Sequence, residues 1–162
     1  MSLFTNGKGR GFCLWGMAAV AVIAAVVLYG FAAWFGAVNQ DEGWYLYAAR
    51  LVGEGKMPYR DFFFTQGPAL PYFYSLFSGL WSSHGLLGGR IFTAALGLVG
   101  AFCAAGLARR AASSERAAEA GIIAFALTAC NLYHVYFTTL PKTYALASVA
   151  LLAGYWLLAL IV

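Results

Sequence analysis

Charge is what this chain has least of. Of 162 residues only 10% are charged, while 62% are hydrophobic. A soluble domain of this size needs roughly a quarter charged residues to cover its surface, so lipid must cover this one. Cysteine is also scarce: Cys13, Cys103 and Cys130 all sit in apolar stretches without Cys-x-x-Cys spacing. They read as small core residues, not as a redox or metal site. There is no Walker A pattern, no Gly-x-Gly-x-x-Gly before a helix, no His-Glu-x-x-His and no Gly-x-Ser-x-Gly. Soluble nucleotide chemistry and the standard hydrolase motifs have no support. The net charge of +4 comes from scattered basic residues, several of which flank apolar runs. That is the positive-inside distribution, and it does not point to nucleic acid; none is expected as a partner.

What is present is apolar sequence in runs of about 20 residues, long enough to cross a bilayer. The first, over about 12–36, follows Lys8 and Arg10. It exceeds the roughly 7–15 residues of a signal-peptide core and has no clean small-x-small site after it, so it reads as a retained span. Arg109, Arg110 and Arg116 form the strongest basic cluster and are assigned to the cytoplasmic side, together with the basic lead at 1–11. Further spans are expected over about 90–107, 120–137 and 144–162, with a turn at 138–143 on the outside. The fold expected is therefore an all-α integral membrane protein with about four transmembrane helices and interfacial helices in its first external loop.

That loop, 37–67, carries four of the six acidic residues, Asp41, Glu42, Glu54 and Asp61, with Arg50, Lys56 and Arg60. Within it 42–53 reads as a helix, with Asp41 as its N-cap and Trp44, Tyr47, Ala48 and Leu51 as one apolar stripe. Such an aromatic-rich short helix suits the membrane surface. Segment 68–87 is apolar enough to span but holds Pro68, Pro71, Tyr72, Tyr74, Trp81 and His84. With the Arg cluster inside, this segment must begin and end outside, as an interfacial or re-entrant helix. The alternative is a fifth span, which would put the Arg cluster outside. His84 reads as an interfacial residue.

Asp41-Glu42, where a span meets a loop, can be a helix cap with solvated charge, or a general base tuned by partial burial. Arg60-Asp61 with Lys56 can be a solvated ion pair, worth little, or a phosphate-recognition group. Arg90 is a snorkelling anchor or a phosphate partner on the same side, and Lys142 joins that side through the turn at Pro141.

The run from Asp41 to Phe62, with Thr65-Gln66-Gly67-Pro68-Ala69-Leu70-Pro71-Tyr72 after it, resembles the first external loop of GT-C membrane glycosyltransferases. The resemblance is to the protein O-mannosyltransferase and aminoarabinose transferase type. It rests on the acidic pair, the Tyr-containing helix, the Gly-x-x-Pro-Tyr-x-Asp-Phe element and the Pro-Leu segment, about a fifth of the chain. It implies transfer of a sugar from a polyprenyl-phosphate-linked donor to an acceptor glycan, lipid or protein on the outer face of a cell (inner) membrane. It further implies Asp41 as the acceptor-activating residue, with Glu42 in support. Arg60, Asp61, Gln66, Arg90 and Lys142 are the expected substrate-binding residues. No metal-ligand pattern is present, and a divalent metal stays open. The chain ends in apolar sequence at Leu160-Ile161-Val162, so 1–162 reads as the N-terminal portion of a longer polytopic protein. The competing reading is a non-catalytic membrane fragment or a lipid-phosphate-binding scaffold.

Overall fold

The computed structural model describes residues 7–161; of the basic lead at 1–11, residues 1–6 lie outside the described residues. Eight α-helices account for most of the chain, and no strand forms among the described residues. In order they are α1 (Gly7–Phe35), α2 (Gln40–Gly53), α3 (Ala69–Leu76), α4 (Ser78–Trp81), α5 (Gly85–Ala111), α6 (Ala117–Ala129), α7 (Leu132–Thr139) and α8 (Thr143–Ile161). A 3-10 turn at Ser82–His84 joins α4 to α5. Three helices, Gly9–Phe35, Ser78–Ala111 and Thr143–Ile161, are long and apolar enough to cross a membrane, and a fourth crossing results if α6 and α7 count as one bent span. This is the make-up of an all-helical, multi-pass membrane protein.

The long helices bury little of themselves. On α1 the buried positions are Ala21, Ala25, Tyr29 and Ala33, four residues apart. Phe12, Trp15, Val20, Ile23 and Val26 around that stripe are exposed. A helix that is apolar all round and buried on one thin line faces lipid with the remainder. Alanine suits the line because small side chains let helix backbones approach where dispersion contacts, not water exclusion, hold them together. The stripe meets Ala94 and Ala101 of α5, Phe125 and Ala129 of α6 and Val135 of α7. Its one polar member, Tyr29, shares a hydrogen bond of 3.0 Å with Thr138 Oγ1.

Two expectations need correction. Residues 120–137 do not form one plain span: the axis bends by 63° between α6 and α7. The cause is local. Asn131, in extended backbone, caps α7 by accepting from the His134 N–H at 3.1 Å, so a new helix starts in mid-segment. Residues 138 and 139, read as an external turn, are instead the buried last turn of α7.

Segment 68–87 is divided rather than continuous. α3 has eight residues, about 12 Å of helix, and ends at Phe77. The break before α5 falls at Gly85, whose φ of 55° is open to glycine and strained for most other residues. α2, α3 and the start of α5 enclose a second core of Tyr45, Leu46, Ala48, Ala49, Phe64, Leu70, Tyr74 and Trp81. This aromatic layer sits on one end of the long helices. The opposite end is marked by Arg10 at the start of α1, bonded to Glu119 at the start of α6 at 2.8 Å.

Candidate functional site at the α2 end

The chain between α1 and α2 turns at Asn39. Its side chain accepts from the Asp41 N–H at 3.1 Å, and its own N–H donates to Glu42 Oε1 at 2.7 Å, a reciprocal capping box. Asn39, not Asp41, is therefore the N-cap, and α2 starts two residues earlier than expected. The expected apolar stripe holds at Ala48 and Leu51 and fails at its two aromatic residues. Trp44 and Tyr47 are exposed, and the buried face of α2 carries Glu42, Tyr45, Leu46, Ala48, Ala49 and Leu51. Phe64 draws Tyr45 inward, its ring meeting that of Tyr45 edge-on at 6.2 Å.

Placing Glu42 on the buried face would leave a carboxylate in an apolar layer, and Arg90 answers it. Arg90 Nε donates to Glu42 Oε2 at 2.6 Å and Nη2 to Oε1 at 2.8 Å. The other donors reach backbone carbonyls at the end of α1: Nη1 to Ala33 at 3.3 Å and Gly36 at 2.9 Å, and Nη2 to Ala37 at 3.0 Å. A guanidinium has five N–H groups, and all five are placed. The last carbonyls of a helix lack partners within it and carry its negative dipole end, so the cation also caps α1. Glu42 is fully buried and Arg90 nearly so. Glu42 and Arg90, expected as a supporting carboxylate and a phosphate partner, are thus joined in a neutral pair fixing α1, α2 and α5 at one point.

Asp41 points elsewhere. Its Oδ2 accepts from Lys142 Nζ at 2.7 Å, across 101 residues of chain. The Lys142 side chain is 13% exposed and that of Asp41 49%, so the carboxylate keeps an open side while its partner is held in the structure. The hydrogen bond from Lys142 to Asp41 raises the ammonium pKa above its usual value, keeping the lysine charged. Tyr45 lies beside the pair, its phenol pKa raised by burial and by the Asp41 charge.

Arg60 and Asp61 are exposed and paired with each other, Nε to Oδ1 at 2.9 Å and Nη2 to Oδ2 at 2.8 Å. Asp61 Oδ2 also accepts from the Met57 N–H at 2.8 Å. The Arg60 contact, with the Met57 bond, lowers the Asp61 pKa to about 2. Tyr59 stands in the left-handed region at φ 68°, an uncommon conformation for a bulky residue. Its N–H bonds to the Phe62 carbonyl at 2.9 Å and its hydroxyl to the Gln66 carbonyl, so two contacts hold it there. Gln66 enters the loop through its backbone, with its side chain exposed. Among the described residues no hydrogen bond or ion pair joins Arg60-Asp61 to Asp41, Glu42, Arg90 or Lys142. The seven sequence-selected residues therefore fall into a buried pair, a half-open pair and a surface loop.

A residue that the sequence reading passed over is His134. Its Nε2 is buried with no hydrogen-bond partner among the described residues. It lines a recess of about 370 Å³ with Tyr133, Phe137, Thr138, Tyr144 and Ser148, two residues along the chain from Lys142 at Tyr144. The signal was present as a lone histidine three residues after a helix-capping asparagine. A larger groove of about 780 Å³ runs between α2 and the α4 turn, lined by Asn39, Tyr47, Arg50, Glu54, Ser78 and Trp81 among others. Asp41 does not line it. No three His, Cys, Asp or Glu side chains converge as a metal-ligand set among the described residues. No family model matches this chain, and no curated protein or solved structure matches it either.

Proposed function

We propose that the chain forms part of a GT-C-type membrane glycosyltransferase that moves a sugar from a polyprenyl-phosphate-linked donor to an acceptor hydroxyl. The observation that carries the reading is the contact between Asp41 and Lys142, a half-open carboxylate beside a held cation. The two charges suit the two ends of a displacement at the anomeric carbon. Asp41 takes the proton of the acceptor hydroxyl as its oxygen bonds to that carbon. The bond from the carbon to the phosphate oxygen breaks, and the polyprenyl phosphate leaves with the electron pair. Lys142, with Arg60 from the loop, stabilises the phosphate charge as it develops. Glu42 and Arg90 act by position: their bonded pair sets the start of α2 and with it the direction of Asp41. By the positive-inside rule the Arg109, Arg110 and Arg116 end is cytoplasmic and the Asp41 end external. The donor's lipid tail then lies in the bilayer beside the exposed apolar faces of the long helices.

The test is release of polyprenyl phosphate and glycosylation of acceptor by membranes carrying the protein, with and without Asp41→Asn. Loss of a general base lowers turnover by about 10²–10⁴-fold. Near-normal transfer by the variant would remove Asp41 from this role.

A further inference from the structure

The end of the bundle opposite Asp41 carries four of the ten basic residues, Arg10, Arg109, Arg110 and Arg116, and two of the six acidic ones, Glu115 and Glu119. Arg10 takes up the Glu119 carboxylate, at 3.1 and 2.8 Å, and the Glu115 carbonyl at 2.6 Å. Among the described residues no carboxylate lies within 4 Å of Arg109, Arg110 or Arg116.

Arg109 differs from its neighbours in where its stem runs. It is laid across Gly121 of α6, where a Cβ would stand 2.5 Å from Arg109 Cγ and 2.8 Å from Cδ. Arg109 also lines two fissures, of about 260 and 300 Å³, between α1, α5 and α6. Ala18, Ala118 and Ile122 line both. The deeper fissure continues to Phe102 and Phe125, whose rings meet at 4.8 Å. From Arg109 to Phe102 along α5 is seven residues, about 10 Å of helix. An apolar slot of that length, lined at its charged end by a guanidinium without a carboxylate partner, has the polarity of one anionic lipid. Basic residues between helices on this side bind anionic headgroups in the same manner.

We infer that the α1–α5–α6 fissure binds an anionic glycerophospholipid, with its phosphate on Arg109 and one acyl chain in the slot lined by Ala18, Ala118 and Ile122. Phosphate suits guanidinium geometry, and the small residues at 18, 118 and 121 leave room for the chain. The site lies at the other end of the helices from Asp41 and does not depend on the glycosyltransferase reading.

The experiment is native mass spectrometry of the purified full protein with phosphatidylglycerol or phosphatidylcholine added at equal concentration. Retention of phosphatidylglycerol exceeds that of phosphatidylcholine by about fivefold, and Arg109→Gln removes most of the difference. Ala118→Phe, which keeps every charge and fills the slot, lowers retention of both lipids. Arg50→Gln, on the exposed face of α2 at the opposite end, leaves both values unchanged. Equal retention of the two lipids by the native protein, or unchanged selectivity in folded Arg109→Gln, would overturn the inference. So would a change of oligomeric mass on Ala118→Phe, which would identify the occupant as a second copy of the chain.

Discussion

Glu42 Oε2 lies 2.6 Å from Arg90 Nε, across 48 positions of sequence, with both side chains withdrawn from the surface. The same guanidinium also serves three carbonyls at the end of α1. Removing one member of a buried pair strands the other charge, at about 3–5 kcal/mol. Arg90→Met and Glu42→Leu should therefore each lower the thermal unfolding temperature in detergent strongly. The double variant should be much less destabilised than the sum of the two. Arg90→Lys should not rescue, because one ammonium cannot supply five donors in a planar fork. A double-mutant cycle on unfolding checks all three outcomes.

The sequence carried part of this and hid the rest. Four or so apolar spans, a charged first loop and the opposite-end separation of the Arg cluster follow from composition and run length alone. Pairing does not, because Glu42 meets Arg90 and Asp41 meets Lys142 only when α2 folds back against α5 and the α7–α8 turn. One sign was available: Glu42, Tyr45 and Ala49 fall at i, i+3 and i+7, the spacing of a helix face, and that face is the buried one. The expected stripe of Trp44, Tyr47, Ala48 and Leu51 has helical spacing too, and only its Ala48 and Leu51 are buried, so spacing alone does not choose between the two faces. The break at Asn131 was legible as a capping residue inside an apolar run, but hydropathy averages over it.

Helix packing at the centre rests on α5 glycine. A Cβ at Gly97 would stand 2.6 Å from Thr138 Oγ1 and 2.9 Å from Tyr29 OH, whereas one at Gly30 meets nothing within 4 Å. Gly97→Ala should destabilise by about 1–3 kcal/mol through overpacking. Gly30→Ala should be neutral or slightly stabilising, since alanine is the better helix former. Unfolding of the two variants side by side gives the comparison.

Loop order should depend on pH only in strong acid. The Asp61 pKa, near 2 in the folded chain, lies below the unfolded value of about 3.9. The Arg60–Asp61 contact therefore stabilises the loop fully above pH ~4 and is lost as pH falls through about 2. A carboxyl NMR titration of Asp61 should show this low midpoint. In Arg60→Gln the midpoint should rise part of the way back, because the Met57 N–H bond persists.

Ser83 and Ser113 flank α5 at its two ends. In a background with Cys13, Cys103 and Cys130 replaced by alanine, Ser83→Cys should react with an impermeant thiol reagent from outside the cell. Ser113→Cys should react only after the cytoplasmic face is opened. The reverse pattern, Ser83→Cys reacting only from the cytoplasmic face, would contradict the proposed orientation, and labelling of both positions from one side would contradict α5 as a crossing helix.

The division of labour between the two adjacent carboxylates is the central claim, and one paired measurement tests it. Transfer from a polyprenyl-phosphate-linked sugar and thermal unfolding are to be recorded together for Asp41→Asn and Glu42→Gln. The account predicts that Asp41→Asn lowers turnover by about 10²–10⁴-fold with little change in unfolding temperature. Glu42→Gln should chiefly lower the unfolding temperature, by leaving Arg90 without its counter-charge. Native turnover in Asp41→Asn, or a turnover loss confined to a fully stable Glu42→Gln, would contradict it.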